Sequence, residues 1–253
     1  MTGSGGGRDL GIFVPAYQAA ALLAGTVDRV PGPAWARTLV LWIVDDGSTD
    51  GTREAALSLA ARHPAVRVHR FPENRGYGAA VREGIRRVRE EPVSYAVCLH
   101  ADGQYAPESI PDLLAALGGG LDLVQGSRHA SGTAAAGGMP LYKRVAGRSL
   151  TALHNAVFGL RMTDYHSGMI GYGRRALDAL PFERLSGSFD FDLEAIACAR
   201  ALGLAVGEVP IPTRYAGEAS HLNPWTYGLR CLRVTARYAT GHYGRLPRPA
   251  PRS

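Results

Sequence analysis

Two short polar stretches carry the densest chemistry in this 253-residue chain. Asp45-Asp46-Gly47-Ser48 follows the apolar run Leu39 to Val44, and His100-Ala101-Asp102-Gly103-Gln104 follows Tyr95 to Leu99. Mg²⁺ and Mn²⁺ take hard oxygen ligands, commonly one or two carboxylates plus substrate phosphates, so an acidic residue just past a strand is a natural holder. An ion held there neutralises the charge that develops on a departing diphosphate. Asp102 is the leading candidate for that bond. Gln104 adds a neutral oxygen or orients a ligand water, and Gly103 lets the backbone approach phosphates. An Asp-Gly pair is equally an ordinary turn signal.

Asp45 and Asp46 pose a different question. Ser48 to Asp50 read as a turn and a helix N-cap. Capping does not account for two adjacent carboxylates, whose repulsion is a cost unless a ligand or cation uses them. The expectation is hydrogen bonding to a nucleobase or ribose. Asn74-Arg75-Gly76-Tyr77-Gly78 places two glycines and an arginine at a helix start, a geometry suited to nucleotide or phosphate contact. Lys143 and Arg144 open a later helix, where cations can clamp a diphosphate or an acceptor phosphate with Arg128 joining them. Solvated surface is the competing reading of these three.

Positioning these residues requires alternating strands and helices. β-branched runs predict strands over Leu10–Val14, Leu39–Val44, Val66–Phe71, Tyr95–Leu99 and Leu121–Gln125, with helical patterns between them over Ala19–Val30, Thr52–Arg62, Gly78–Arg89 and Pro107–Leu117. This is the signature of βαβ units around a parallel sheet, where ligands bind beyond the carboxyl ends of the strands. Pro15-Ala16-Tyr17, the two acidic stretches and Gly126-Ser127-Arg128 all stand at such ends. The second half opens with a Gly/Ala-rich stretch, Ser131 to Gly138, expected as a mobile loop. Helices are predicted over Leu141–Val157, Leu193–Ala201 and Trp225–Thr240, with strands over Met169–Tyr172 and Ala205–Val209. In the last helix Leu229, Leu232, Val234 and Tyr238 run beside Arg230, Arg233 and Arg237, which suits docking onto the domain or onto an anionic lipid surface.

Bulk composition narrows the class. At 46% hydrophobic, the chain can bury one large core or two small ones. The segment before Asp9 lacks the apolar stretch of a signal peptide, and no run reaches the ~18–20 apolar residues of a spanning helix, so a soluble, cytoplasmic protein is expected, with peripheral contact at the inner membrane surface as the alternative. Cys98, Cys198 and Cys231 are far apart and read as buried thiols rather than as a disulfide or zinc framework. Net charge is +6, carried almost wholly by arginine, Lys143 being the single lysine. Guanidinium grips phosphate with paired hydrogen bonds, which favours phosphate-bearing ligands. Nucleic acid is not expected, because the arginines form no single stripe interleaved with aromatics.

Together the motifs resemble the family 2 glycosyltransferases of GT-A fold, in particular the branch of dolichol-phosphate mannose synthase and related polyprenyl-phosphate glycosyltransferases. Val14-Pro15-Ala16-Tyr17 stands at the nucleotide-side V-P-x-[YF] loop, Asp45 to Ser48 at D-D-G-S, Asn74-Arg75-Gly76 at N-x-G, and His100-Ala101-Asp102 at the metal-binding D-x-D. Gly126-Ser127-Arg128, Gly138 to Arg144, Ser167-Gly168 and Glu208 to Pro212 look like the same branch, so the resemblance spans nearly the whole chain. It implies an α/β GT-A fold, Rossmann-like, with a mostly parallel central sheet flanked by helices. Residues 9–128 would form the nucleotide-binding half and 129–245 the acceptor half of one domain, with 1–8 and 246–253 as disordered ends. The implied reaction is inverting, metal-dependent transfer from a nucleoside diphosphate sugar, UDP or GDP, to a polyprenyl phosphate or a small-molecule hydroxyl.

The resemblance also assigns roles. His100 replaces the first acid of D-x-D, and imidazole suits Mn²⁺ better than Mg²⁺, so it either ligates the metal or stands behind the ligands. H-A-D-G-Q at this position marks a bacterial subgroup. His221, a late loop histidine, is expected to complete the metal shell. Ser188 to Leu193 resembles an acidic motif whose aspartate is the general base toward hydroxyl acceptors; Asp190 aligns best and Asp192 second, and capping of the helix near Leu193 is the alternative for either. With a lipid phosphate as acceptor no base is needed, and both would help position the sugar. Two rivals from other classes remain. A nucleotidyltransferase should carry a Gly-rich phosphate loop where this chain has Pro15-Ala16-Tyr17-Gln18. A non-catalytic sugar-nucleotide sensor would keep Asp45 and Asp46 while tolerating loss of the metal.

Overall fold

Strict alternation in the first strand shows how the sheet is built. In β1 (Leu10–Ala16), Leu10, Ile12 and Val14 project to one side and Phe13 to the other, and all are fully buried. A strand apolar on both faces needs helices on both, so β1 lies in the middle of the sheet. The computed structural model describes residues 7–130, 141–212 and 224–247, with side chains from 147 and 225 onward in the last two segments. It contains one seven-stranded sheet of order β3-β2-β1-β4-β6-β5-β7, where β2 is Thr38–Asp45, β3 Val66–Arg70, β4 Tyr95–Cys98, β5 Leu123–Ser127, β6 Ile170–Gly173 and β7 Val206–Pro210. β1 pairs in parallel with both β2 and β4, the point at which strand order reverses. β6 alone runs antiparallel, wedged between β4 and β5.

Two cores sandwich the sheet. On one face α1 (Leu23–Asp28), α2 (Gly32–Arg37), α3 (Thr52–Arg62) and α5 (Ile110–Gly118) bury Leu23, Ala34, Leu59 and Leu113 against Ile12, Ile43 and Val97. On the other, α4 (Tyr77–Arg89), α6 (Leu141–Phe158), α7 (Arg174–Ala179), α8 (Phe191–Ala201) and α9 (Pro224–Ala239) close over Phe13, Cys98 and Tyr172 through Ile85, Phe158, Leu177, Ile196 and Val234. The last helix does dock onto the domain, with Cys231 and Val234 buried; its opposite face is exposed. Among the described residues no helix is long and apolar enough to cross a membrane.

Among the described residues every predicted strand and all but two α-helices coincide with the sequence reading. The exceptions are α2 and α7, six residues each and too short to show a helical period. The Ala19–Val30 pattern shrinks to the six residues of α1, because Gln18 to Leu22 form turns tied to the next loop. The Gly/Ala-rich stretch expected as a loop lies, beyond Ala130, outside the described residues, as does His221.

Candidate functional site

The carboxyl ends of β1, β2, β4 and β5 open on the same edge of the sheet, and there the predicted motifs meet. Pro15 and Ala16 finish β1 and are buried, while Tyr17 stands exposed at the rim. The next residue was missed by the sequence reading. Gln18, with φ +51°, is the single non-glycine residue at positive φ among those described, and its Oε1 accepts hydrogen bonds from the amides of Thr49 and Asp50 at 3.1 Å. Its own amide donates to Ser48 Oγ at 3.0 Å. The loops after β1 and β2 are therefore stitched into one surface.

Asp45 and Asp46 spend part of their capacity on that surface. Asp45, fully buried, accepts from the Ser48 amide at 2.9 Å and pairs with Arg70 Nε at 3.1 Å. Asp46 accepts from the amides of Arg75 at 2.7 Å and Gly76 at 2.9 Å, so it holds the Asn74-Arg75-Gly76 turn against the end of β2. Burial raises the Asp46 carboxyl above its usual range, and those two amides pull against the rise. Gly47, at φ +69°, sits where a Cβ would come within 2.4 Å of the Glu73 backbone, so only glycine lets the two loops touch. Asp45 is fully enclosed and presents no oxygen to a ligand, whereas Asp46 keeps some exposure and lone pairs beyond its two amide bonds. Asn74 itself is exposed.

Beyond β4, Ala101 is buried and its carbonyl accepts from Thr26 Oγ1 at 3.3 Å. Asp102 Oδ1 accepts from the Gln104 amide at 2.9 Å, and Oδ2 has no hydrogen-bond partner among the described residues. The side chain is thus braced with one oxygen spare. Among the described residues no three His, Cys, Asp or Glu side chains converge as a metal cage. One braced carboxylate with a spare oxygen fits an ion whose remaining ligands are diphosphate oxygens and water.

His100 turns to other neighbours. Its ring lies on Gly168, where a Cβ would come within 2.0 Å of Nε2, and packs edge-on to Tyr105 at 5.1 Å. Nε2 is 3.1 Å from the Tyr77 hydroxyl, which donates to Asp192 Oδ2 at 2.7 Å. With its one proton given to Asp192, the Tyr77 oxygen accepts from His100, so Nε2 carries the ring proton and is not a free ligand. Burial lowers the pKa of His100 while the nearby Asp102 charge pulls it upward. Tyr77, also unforeseen as a site residue, links the end of β4 to α8, and Phe189 stacks on its ring at 5.5 Å.

The two acids of the Ser188 to Leu193 stretch part company. α8 begins at Phe191, and at ~100° per residue Asp192 and Asp190 face nearly opposite ways. Asp192, 5% exposed, faces Tyr77; its Oδ1 is buried without a hydrogen-bond partner, and burial pushes its carboxyl up to about 7. Asp190 turns toward α9, accepting from Ser186 Oγ at 2.7 Å and lying 3.4 Å from Arg230. At the end of β5, Arg128 grips Asp164 with Nε at 2.6 Å and Nη2 at 3.0 Å. Burial opposes that carboxylate, but the pair with Arg128 outweighs it and holds Asp164 below the usual range. Glu208 in turn accepts from the Thr163 and Asp164 amides at 2.8 and 3.2 Å, which explains the acid before Val209-Pro210. Lys143 and Arg144 lie in the first turn of α6, their side chains outside the described set.

Comparison with known proteins accords with this geometry. The sequence profile described as Glycosyl transferase family 2 matches residues 11–180. The chain belongs to that family. This family 2 glycosyltransferase is 31% identical over 217 residues to a dolichol-phosphate mannosyltransferase of Saccharomyces cerevisiae, covering 82% of this chain and 79% of that one. It is 32% identical over 171 residues to a polyprenol monophosphomannose synthase of Mycolicibacterium smegmatis, covering 67% and 64%. Its fold is that of GT-A enzymes: glucosyl-3-phosphoglycerate synthase from Mycobacterium tuberculosis, solved with Mn²⁺, uridine diphosphate and glucosyl-3-phosphoglycerate, superposes with a TM-score of 0.65 at 18% identity, over 92% of this chain and 80% of that one.

Proposed function

We propose that this glycosyltransferase moves a sugar, with inversion, from a UDP- or GDP-sugar to the phosphate of a polyprenyl phosphate, the diphosphate leaving on a divalent cation held by Asp102. The observation that carries the reading is the hydrogen-bonded line His100, Tyr77, Asp192, whose histidine feels the charge of Asp102: it joins the strand end suited to a metal-bound diphosphate to a buried carboxyl from the second half of the fold. The relatives named above, with polyprenol- and dolichol-phosphate in their names, support the acceptor class.

The donor half is residues 9–128. Asp45, Asp46 and the Asn74 to Gly76 turn frame the nucleotide, with Tyr17 at the rim. Mn²⁺ or Mg²⁺ supplies charge neutralisation at the diphosphate. Asp102 would hold it, Gln104 bracing that carboxylate through its amide. His100 stands behind Asp102 as a positioning residue. Residues 129–245 meet the acceptor. Arg128, paired to Asp164, together with Lys143, Arg144 and His221, supplies cations and a further ligand on that side. Protonated below about pH 7, Asp192 donates a hydrogen bond through its unpartnered oxygen to an acceptor phosphate instead of repelling it.

A second reading has its own support. A buried carboxyl with a pKa near 7 is also well matched to serve as general base toward a small-molecule hydroxyl. Labelled-sugar transfer from UDP- and GDP-sugars with Mn²⁺ separates the two. Product on polyprenyl phosphate supports the first reading. Product on a hydroxyl acceptor alone overturns it, and nucleotide-sugar binding with no turnover of any acceptor identifies a sensor.

A further inference from the structure

We infer that the recess between α8 and α9 is a second anion site, built for a phosphomonoester group. It is a cavity of about 360 Å³ lined by four arginines, Arg184, Arg230, Arg233 and Arg237, and two acids, Asp190 and Glu194. That volume falls within the ~300–1,000 Å³ typical of small-ligand pockets.

Helix periodicity sets the arginines. Arg230, Arg233 and Arg237 recur at i, i+3 and i+7, so α9 turns all three to one side, toward α8. The outer two are paired: Arg230 lies 3.4 Å from Asp190 and Arg237 lies 3.0 Å from Glu194. Those acids have other donors to serve. Asp190 also accepts from Ser186 Oγ at 2.7 Å, and Glu194, 2% exposed, accepts from the Ser186 amide and from the Tyr243 hydroxyl at 2.7 Å. Arg233 stands between the two pairs, Arg184 enters from the loop before α8, and neither makes an ion pair or hydrogen bond among the described residues.

The rest of the chain does not close the balance. Four guanidiniums against two carboxylates leave a surplus of two positive charges, and outside the described residues the sequence holds one acid, Glu218. One charge remains in surplus even with Glu218 drawn in. A phosphomonoester carries about −1.5 to −2 near pH 7, and each guanidinium offers it two parallel N–H donors. Leu185 and Val234 are the only apolar side chains in the lining, so the recess recognises the phosphate rather than a large apolar body. It is also separate from the transfer site: Asp190 and Asp192 face nearly opposite ways, which puts the recess across α8 from the Tyr77–Asp192 pair. A soluble phosphate ester and a lipid headgroup ending in a phosphomonoester present the same chemistry to it.

Two assays on the full chain in chelator distinguish these sources. Calorimetric titration with glycerol 3-phosphate reads a soluble ester, and sedimentation with phosphatidic acid/phosphatidylcholine vesicles reads a headgroup; binding in the second alone assigns the lipid. In either assay Arg184→Gln with Arg233→Gln weakens binding about a hundredfold, tenfold for each arginine. Arg53→Gln with Arg67→Gln, an exposed pair elsewhere, leaves it within about twofold. The fold, read by circular dichroism, is unchanged in both. The inference is overturned by binding in neither assay, by equal losses in the two arginine pairs, which reports bulk charge, or by loss in Lys143→Gln with Arg144→Gln, which assigns the anion to the transfer site.

Discussion

Tyr77→Phe removes one oxygen from the middle of the site and leaves the ring stacked on Phe189. The lost hydroxyl donates to Asp192 Oδ2 at 2.7 Å, the single hydrogen bond holding down a carboxyl that burial has already pushed to about 7. A hydrogen bond to a charged group contributes about 1.5–3 kcal/mol. At ~1.4 kcal/mol per pKa unit, its loss raises the Asp192 midpoint by roughly one to two pH units. In the proposed reaction protonated Asp192 donates to the acceptor phosphate, so the KM for polyprenyl phosphate climbs as pH rises through about 7 in the native enzyme. In Tyr77→Phe the climb is displaced upward by that same one to two units. The acceptor's own phosphate titration is common to both proteins and drops out of the difference. Steady-state transfer with varied acceptor, from about pH 6 to 9, reads the midpoint. An unmoved or lowered midpoint refutes Asp192 as the titrating group. A kcat that increases instead through about 7, and is displaced upward in the variant, assigns Asp192 as base toward a hydroxyl.

Three further outcomes are expected. Because burial holds the folded Asp192 pKa, at about 7, above the ordinary carboxylate range, its contribution to stability is present at low pH and lost as pH rises to about 7; Asp192→Asn should therefore gain on the native protein by up to about 1.4 kcal/mol per pH unit across that window and no further above it, measured by denaturant titration. Gly168→Ala puts a methyl within 2.0 Å of His100 Nε2 and should lower Tm by several degrees while cutting transfer more than nucleotide binding, as read by thermal shift and kinetics. Asp46→Ala strips the amides of Arg75 and Gly76 of their acceptor, costing about 1–3 kcal/mol and weakening donor binding by calorimetry; binding unchanged would confine Asp46 to the loop.

The middle of the sheet was legible because strands such as β1 and β4 are apolar on both faces and end in polar loops, a pattern that survives without knowledge of pairing. The antiparallel insertion of β6 was not, since Met169 to Tyr172 reads like any buried strand and its partners are fixed by contacts more than 40 residues away. α2 escaped because Pro31, Gly32 and Pro33 read as breakers, although proline is compatible with a first helical turn. At the site, residue types located the strand-end motifs, but side-chain direction decided what each could do. Placing the start of α8 at Leu193 left Asp190 and Asp192 as equivalent caps; starting it at Phe191 sends them to opposite faces. The part played by His100 depended on Tyr77, 23 positions earlier, which no local pattern connects to it. Gln18 carried no signal at all, its positive φ being visible only in the folded chain.

The most direct test is calorimetric titration of UDP- and GDP-sugars into the native protein and Asp102→Ala, each with Mn²⁺ and after chelation. A divalent ion anchored at Asp102 predicts that one donor binds tightly with Mn²⁺, weakly in chelator, and equally weakly in the variant under both conditions. Donor binding that ignores both the metal and the substitution, with turnover persisting in chelator, would contradict it.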